Sequence, residues 1–311
     1  MRLARTLAVF ALSAAAAFAA PMTNTAKLVI PYDVQQVIVV DYKTFYNSPS
    51  AMALKEKVMP PPLKQFETAL RNAGVNPEQD VDQLVFASYR GEGGALKFVG
   101  VAQGQFPGQK LLAKFKKDKT KPERYQGSSI YPMGSGMYLS LLDNFNMVFG
   151  EKTAVKQALD VRNGQGKNLS SNNEITDMLA SVENEPVWSV LDSQGTQYML
   201  KSALGDVADL ADYNVVKNRL KGSRYKVSFT SGVDFNLDVI TSDTFTAASL
   251  ASLAKAGMMV RKSATDDEKE KLAIDSMKVT SDSNNLKLGF KTDETKFQAL
   301  LNSDLFKAVS K

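Results

Sequence analysis

Hydrophobic and polar positions follow an order of elements that occurs twice along the chain. In the first half, alternation predicts a strand over residues 34–40, and a helical pattern over 49–73 is interrupted by three consecutive prolines at 60–62. A hairpin over 83–89 and 96–102 follows, and then a helix over Gly108–Lys117. The remaining predicted elements are strands over 125–131, 138–142 and 147–149 and a helix over 153–161.

The second half repeats this order after a connector helix over residues 175–182. Its predicted elements are strands over 187–191, 225–230, 235–240, 277–280 and 286–290, and helices over 196–204, 244–258 and 294–306. Hairpins that alternate with helices are typical of antiparallel sheets covered by helices. We therefore predict an α+β fold with two related lobes, each a mostly antiparallel sheet covered by helices.

The predicted boundary between the lobes is rich in residues that favour turns. Glycine, serine and asparagine cluster between Gly164 and Asn173. We therefore divide the chain into a signal peptide at residues 1–19, an N-terminal lobe at 20–165 and a C-terminal lobe at 166–311.

The first residues have the pattern of an export signal. Arg2 and Arg5 precede an apolar stretch at 7–18 that is too short to span a bilayer, and the small residues around Phe18 form a cleavage site near Ala19-Ala20. The pattern predicts release into the periplasm or the exterior. No later apolar run reaches spanning length, so we expect no transmembrane span in the mature chain.

Composition removes most enzyme chemistry. The chain is 44% hydrophobic and 23% charged, as in ordinary globular proteins, but it has no histidine and no cysteine. These absences exclude serine and cysteine proteases that use histidine, zinc sites of the HExxH type and haem held by histidine. Two Ser-x-x-Lys matches begin at Ser223 and Ser252, but the companion motifs are missing. We predict a protein that is not an enzyme and needs no cofactor or metal.

Acidic residues recur every three positions at Asp206, Asp209 and Asp212. The spacing places them on roughly one face of a helix, but the alternating ligands and central glycine of a calcium loop are missing. We interpret them as a solvated acidic face.

Positive charge is concentrated in one run. Without Arg2 and Arg5, the chain carries 36 basic and 33 acidic side chains, and most basic residues are spread out, which argues against a nucleic-acid partner. A helix end rich in lysine can simply be solvated and complement the helix dipole. The run is also our candidate contact for an anionic surface, and it comprises Lys114, Lys116, Lys117, Lys119, Lys121 and Arg124.

Trp188 is the only tryptophan and lies in the first predicted strand of the second lobe. We expect it to anchor the core or the contact between the lobes; contact with a ligand is the alternative.

Three stretches give the chain a family resemblance. They are residues 74–82, a Gly-Val-Asn-Pro turn that leads into a strand, residues 100–106 before a helix, and residues 186–192. With them the chain resembles uncharacterised exported bacterial proteins built from two repeated α+β halves. The resemblance implies the repeated fold over most of the mature chain and no known activity.

Three functions remain open. The first is a non-enzymatic binding or assembly role in the cell envelope, with an unknown envelope protein as partner. The second is a carrier of an apolar or lipid-like ligand, which requires a cavity of about 300 Å³ or more. The third is an envelope polysaccharide hydrolase, which requires two carboxylates about 5–9.5 Å apart in a groove lined by aromatic residues.

Overall fold

The computed structural model describes residues 21–59, 61–90, 96–204, 216–230 and 232–302. The predicted export signal, the triplet Asp206, Asp209 and Asp212, and the end of the last predicted helix beyond residue 302 lie outside the described residues.

One antiparallel sheet runs through both halves of the chain. Its twelve strands are β1 Gln36–Asp41, β2 Val81–Arg90, β3 Leu96–Gly104, β4 Glu123–Tyr125, β5 Ser128–Pro132, β6 Met137–Leu141, β7 Asn146–Glu151, β8 Val187–Leu191, β9 Leu220–Ser228, β10 Val233–Thr241, β11 Met277–Asp282 and β12 Asn285–Thr292. The strand order across the sheet is β11-β12-β10-β9-β8-β1-β2-β3-β7-β6-β5-β4.

The two halves of the sheet have the same internal order. From the centre outward, the first five strands of the first half are β1-β2-β3-β7-β6 and the second half is β8-β9-β10-β12-β11; the first half continues with β5 and β4. They meet where β1 pairs with β8 in antiparallel register. The α+β class with a mostly antiparallel sheet is therefore confirmed, but the two predicted sheets form one, because pairing β1 with β8 removes two exposed strand edges.

Helices cover the sheet. They are α1 Asn24–Val29, α2 Tyr42–Tyr46, α3 Pro49–Val58, α4 Pro61–Asn72, α5 Pro77–Asp80, α6 Gly108–Lys117, α7 Lys152–Arg162, α8 Asn173–Leu179, α9 Ser193–Leu204, α10 Thr244–Ala264, α11 Glu268–Ser276 and α12 Glu294–Leu301. The boundary predicted at residue 165 falls between α7 and α8; the structure does not test it, and it stays a prediction.

Buried clusters lie on both faces of the sheet. On one face, Val37 and Val39 of β1 join Trp188 and Val190 of β8 in a cluster with residues of α1, α7 and α8. The opposite face holds three clusters, one of which joins β9 and β10 to α3 and α12 around Phe229. Because side chains alternate along a strand, β8 contributes to both faces, and all five of its residues are buried.

The same capping device starts the helix that follows the central strand of each half, α2 after β1 and α9 after β8. Asp41 ends β1 and accepts a hydrogen bond from the backbone N–H of Thr44 at 3.0 Å. Asp192 follows β8 and accepts one from the backbone N–H of Gly195 at 2.6 Å. An aspartate at this position satisfies a backbone donor that the first helical turn leaves free.

One predicted strand was wrong. Residues 125–131 do not form one strand but divide into β4 and β5, which pair as a hairpin. Between them, Gln126 and Gly127 have φ angles of 49° and 75°. This left-handed backbone turns the chain, and glycine adopts it at little cost.

Candidate functional site

A cleft of about 400 Å³ lies between α11, the end of β12 and α12. We name it the C-terminal cleft. Four apolar residues line it, namely Leu272, Ala273, Phe290 and Leu300, and the charged lining residues are Lys269, Lys291, Asp293 and Lys296. The volume falls within the usual range for small-molecule sites, about 300–1,000 Å³.

The apolar part of the cleft is built on the sheet. Phe290 of β12 is half-buried and lies opposite Phe235 of β10 on one side and Met277 of β11 on the other. Ala273 is buried, whereas the side chain of Leu272 is 64% exposed. An exposed leucine beside a half-buried phenylalanine gives an apolar ligand surface to cover.

A buried carboxylate sets the position of α11. Glu270 is fully buried, and its Oε1 accepts a hydrogen bond from Nε of Arg261 on α10 at 2.5 Å. Its Oε2 accepts one from Oγ1 of Thr265 at 2.9 Å. A buried charge needs such partners, so these bonds fix α11 against the end of α10 and hold one wall of the cleft.

Asp293 fixes the other wall. Its Oδ1 accepts a hydrogen bond from the backbone N–H of Lys296 at 2.8 Å, and its Oδ2 lies 3.2 Å from Nζ of the same lysine. The backbone N–H of Lys296 lowers the pKa of Asp293, and its ammonium group lowers it further. Asp293 is therefore ionised at neutral pH and begins α12 at a defined position.

The charged lining of the cleft is positive overall. Three lysines face one aspartate, and Lys291 is paired outside the cleft, 3.2 Å from Asp234. Lys269 makes no ion pair within the part of the chain that the structure describes. An apolar surface beside the ammonium group of Lys269, which is unpaired within these residues, suits a ligand that has an apolar body and an acidic end.

A second cleft, of about 580 Å³, is polar and is lined by Glu174 and Asp177 of α8. Asp192 precedes Ser193, which lines this cleft. Burial raises the pKa of the Asp192 carboxyl to about 6, and the charge of Glu174 also raises it. No aromatic side chain is found among its described lining residues. The geometry therefore does not favour the carboxylate-pair hydrolase over the other two hypotheses.

The Ser-x-x-Lys matches do not form dyads. Oγ of Ser223 is buried and lies 2.8 Å from Oγ1 of Thr196, and Ser252 donates to the carbonyl of Ala248 at 3.0 Å. Both hydroxyls are engaged away from lysine.

Trp188 and the basic run lie far apart in the strand order. Trp188 is fully buried in β8, at the centre of the sheet. The residues of the basic run occupy the end of α6, the turn after it and β4, which is the last strand at one edge. Neither of these candidate sites lines the C-terminal cleft. The sequence did not predict this cleft. Its lysines are 22 and 5 residues apart, between 269 and 296, and no local pattern connects them.

Two kinds of feature are absent from the described residues. None of their helices is long and apolar enough to cross a membrane. Within the same residues, no group of three or more acidic side chains could hold a metal ion.

Comparisons with known proteins give distant structural similarities. No protein-family model matches the chain, and no curated protein matches it. Crystal form I of TP0453 is similar over 94% of this chain and 98% of that chain, with 9% identity and a TM-score of 0.48. Crystal form IV of TP0453 is similar over 91% and 96%, with 9% identity and a TM-score of 0.45.

Proposed function

We propose that this is an exported, non-enzymatic binding protein of the cell envelope that carries one apolar ligand with an acidic end in the C-terminal cleft. The export pattern around Arg2 and Arg5 supports the location. The absence of histidine and cysteine from the sequence supports binding over catalysis.

One observation carries the proposal: the apolar lining of the cleft, with Leu272 exposed and Phe290 half-buried, lies beside three lysines and one aspartate. Covering Leu272 and Phe290 with an apolar chain gains about 25 cal/mol per Å² of apolar surface removed from water. An acidic end near Lys269 adds a charge-assisted contact and sets the direction in which the ligand enters.

Native mass spectrometry of the mature protein, purified without detergent from its own envelope, is the first test. A reproducible extra mass that is released on unfolding supports the carrier. A bare monomer or a defined complex with another protein overturns it and favours the assembly role.

A variant then tests the site. We expect Leu272→Glu to weaken binding of a fluorescent long-chain fatty acid at least tenfold, because it places a negative charge against both the chain and the acidic end. Val260→Glu on α10 is the matched control, since Val260 is 61% exposed and does not line the cleft. Equal losses in both variants, or no binding by the wild-type protein, would contradict the site.

A further inference from the structure

The basic segment, which we define as residues 110–124, holds the entire charge excess of the chain. It contains seven cations and two carboxylates, an excess of five, and the whole chain has a net charge of +5. The remaining residues of the whole chain are therefore neutral overall, and those of the mature chain, which lacks Arg2 and Arg5, carry a net charge of −2. The segment comprises most of α6, the turn after it and the start of β4, at one edge of the sheet.

Both carboxylates of the segment form ion pairs that leave six of its seven cations without a partner carboxylate in the described part of the chain. Asp118 is held by Lys114, with Nζ and Oδ2 3.0 Å apart. Glu123 binds Lys152 and Lys156 of α7, and hydrogen bonds from Lys152 and then Lys156 lower its pKa. Glu123 therefore brings two more ammonium groups to the segment.

The other cations of the segment are open to solvent. All six are exposed, and none makes an ion pair within the described part of the chain. They are Lys110, Lys116, Lys117, Lys119, Lys121 and Arg124.

The apolar side chains of α6 indicate what kind of partner fits. Leu111 and Phe115 are buried, and only Leu112 among the large apolar residues of the segment is exposed, at 42%. Docking on a lipid surface commonly combines basic residues with an apolar face that enters the bilayer. The solvent-exposed side of this segment has no such apolar face. The cations instead follow one another along the helix end, the turn and the edge strand.

We propose that the basic segment binds a linear polyanion, a polymer with regularly spaced carboxylate, sulfate or phosphate groups. Successive anionic groups of such a chain meet successive cations, and binding releases the counterions condensed on the polymer. The nearly neutral remainder of the molecule leaves this edge as the side that faces the polymer. This proposal is independent of the C-terminal cleft.

The test uses heparin of defined length as the probe and titrates the full mature protein at several salt concentrations. The test variant is Lys116→Gln with Lys119→Gln and Lys121→Gln. The control variant is Lys221→Gln with Lys255→Gln and Lys278→Gln, three lysines that are also exposed and make no ion pair within the described residues. Both variants change the net charge by the same amount, so they separate position from total charge.

We expect the test variant to lose at least tenfold in affinity and the slope of log K against log salt to fall by about 2, since each lost contact contributes about 0.7–0.9. The control variant should stay within twofold of the wild type. Equal losses in the two variants, or no binding by the wild type, overturn the proposal. So does binding to vesicles with 30% phosphatidylglycerol that exceeds heparin binding and is lost in the test variant, because the partner is then a lipid surface.

Discussion

Trp188 of β8 lies directly opposite Val39 of β1, in the ladder that joins the two halves of the sheet. Both side chains belong to one buried cluster, and Trp188 is fully buried. The indole Nε1 has no hydrogen-bond partner within the described part of the chain. We therefore expect the ring to stabilise the junction through apolar burial and packing.

Replacing Trp188 should weaken the whole sheet in proportion to the volume removed. We expect Trp188→Ala to lower the free energy of unfolding by about 3–5 kcal/mol, and Trp188→Phe by about 1–2 kcal/mol, since phenylalanine keeps most of the ring. Urea unfolding followed by circular dichroism measures both, because the only tryptophan is lost. Equally small losses of unfolding free energy in the two variants would show that the ring does not support the junction.

Arg261 should matter more than its neighbour Lys262. Arg261→Ala leaves the fully buried carboxylate of Glu270 with Thr265 alone, so we expect a loss of about 1–3 kcal/mol in the free energy of unfolding. Lys262→Ala breaks only an exposed ion pair with Asp275, which is worth about 0–1 kcal/mol.

The same pair of variants tests the link between this corner and the C-terminal cleft. Arg261→Ala should also weaken fatty-acid binding, because α11 loses the hydrogen bond between its buried Glu270 and Arg261 of α10, and Lys262→Ala should not. Equal unfolding energies for the two variants would rule out the special role of the buried carboxylate.

Local patterns predicted individual elements well. The bounds of α6 and β8 agree with the residues predicted from periodicity, because an amphipathic helix and a short apolar strand are each specified by adjacent residues. The pairing of β1 with β8 was not predicted. It joins segments about 150 residues apart, and any apolar strand edge could have served, so only the folded arrangement selects it.

The candidate sites also divide into features that local sequence predicts and contacts that depend on the fold. The positions of Lys114 and Lys116 on α6 could be predicted from the helical pattern. The ion pairs of Glu123 with Lys152 and Lys156 could not be predicted, because these contacts depend on how α7 packs against β4. The C-terminal cleft depends in the same way on the angle between α11 and α12.

Gly100 and Phe149 should be energetically coupled. They lie opposite each other on β3 and β7, and a Cβ atom at position 100 would overlap the ring of Phe149. We expect Gly100→Ala to lower the free energy of unfolding by about 1–3 kcal/mol, the usual range for overpacking. Because Phe149→Leu removes part of the ring, the double variant should be more stable than the sum of the two single effects. A double-mutant cycle from urea unfolding measures this coupling, and additive effects would contradict it.

Asp192 should make the folded protein less stable as the pH rises from about 4 to 6. Burial raises the pKa of its carboxyl from 3.8 to about 6, so in this range the folded state binds more protons than the unfolded state. Stability that is present below pH 4 is therefore lost as the carboxyl ionises.

Asp192→Asn should remove this loss. Asparagine can still accept the hydrogen bond from the N–H of Gly195, so we expect the variant to gain about 1–2 kcal/mol at pH 7, allowing for the partial exposure of the carboxyl. Asp192→Ala separates charge from capping: it should show the same flatter pH profile, but it should be about 1 kcal/mol less stable than Asp192→Asn at every pH because the cap is gone. Urea unfolding at pH 4, 5, 6 and 7 measures both variants. If the wild type and Asp192→Asn kept parallel profiles, the carboxyl would not titrate in this range, and the cost of burying it would have to be offset by hydrogen bonds such as the one from Gly195.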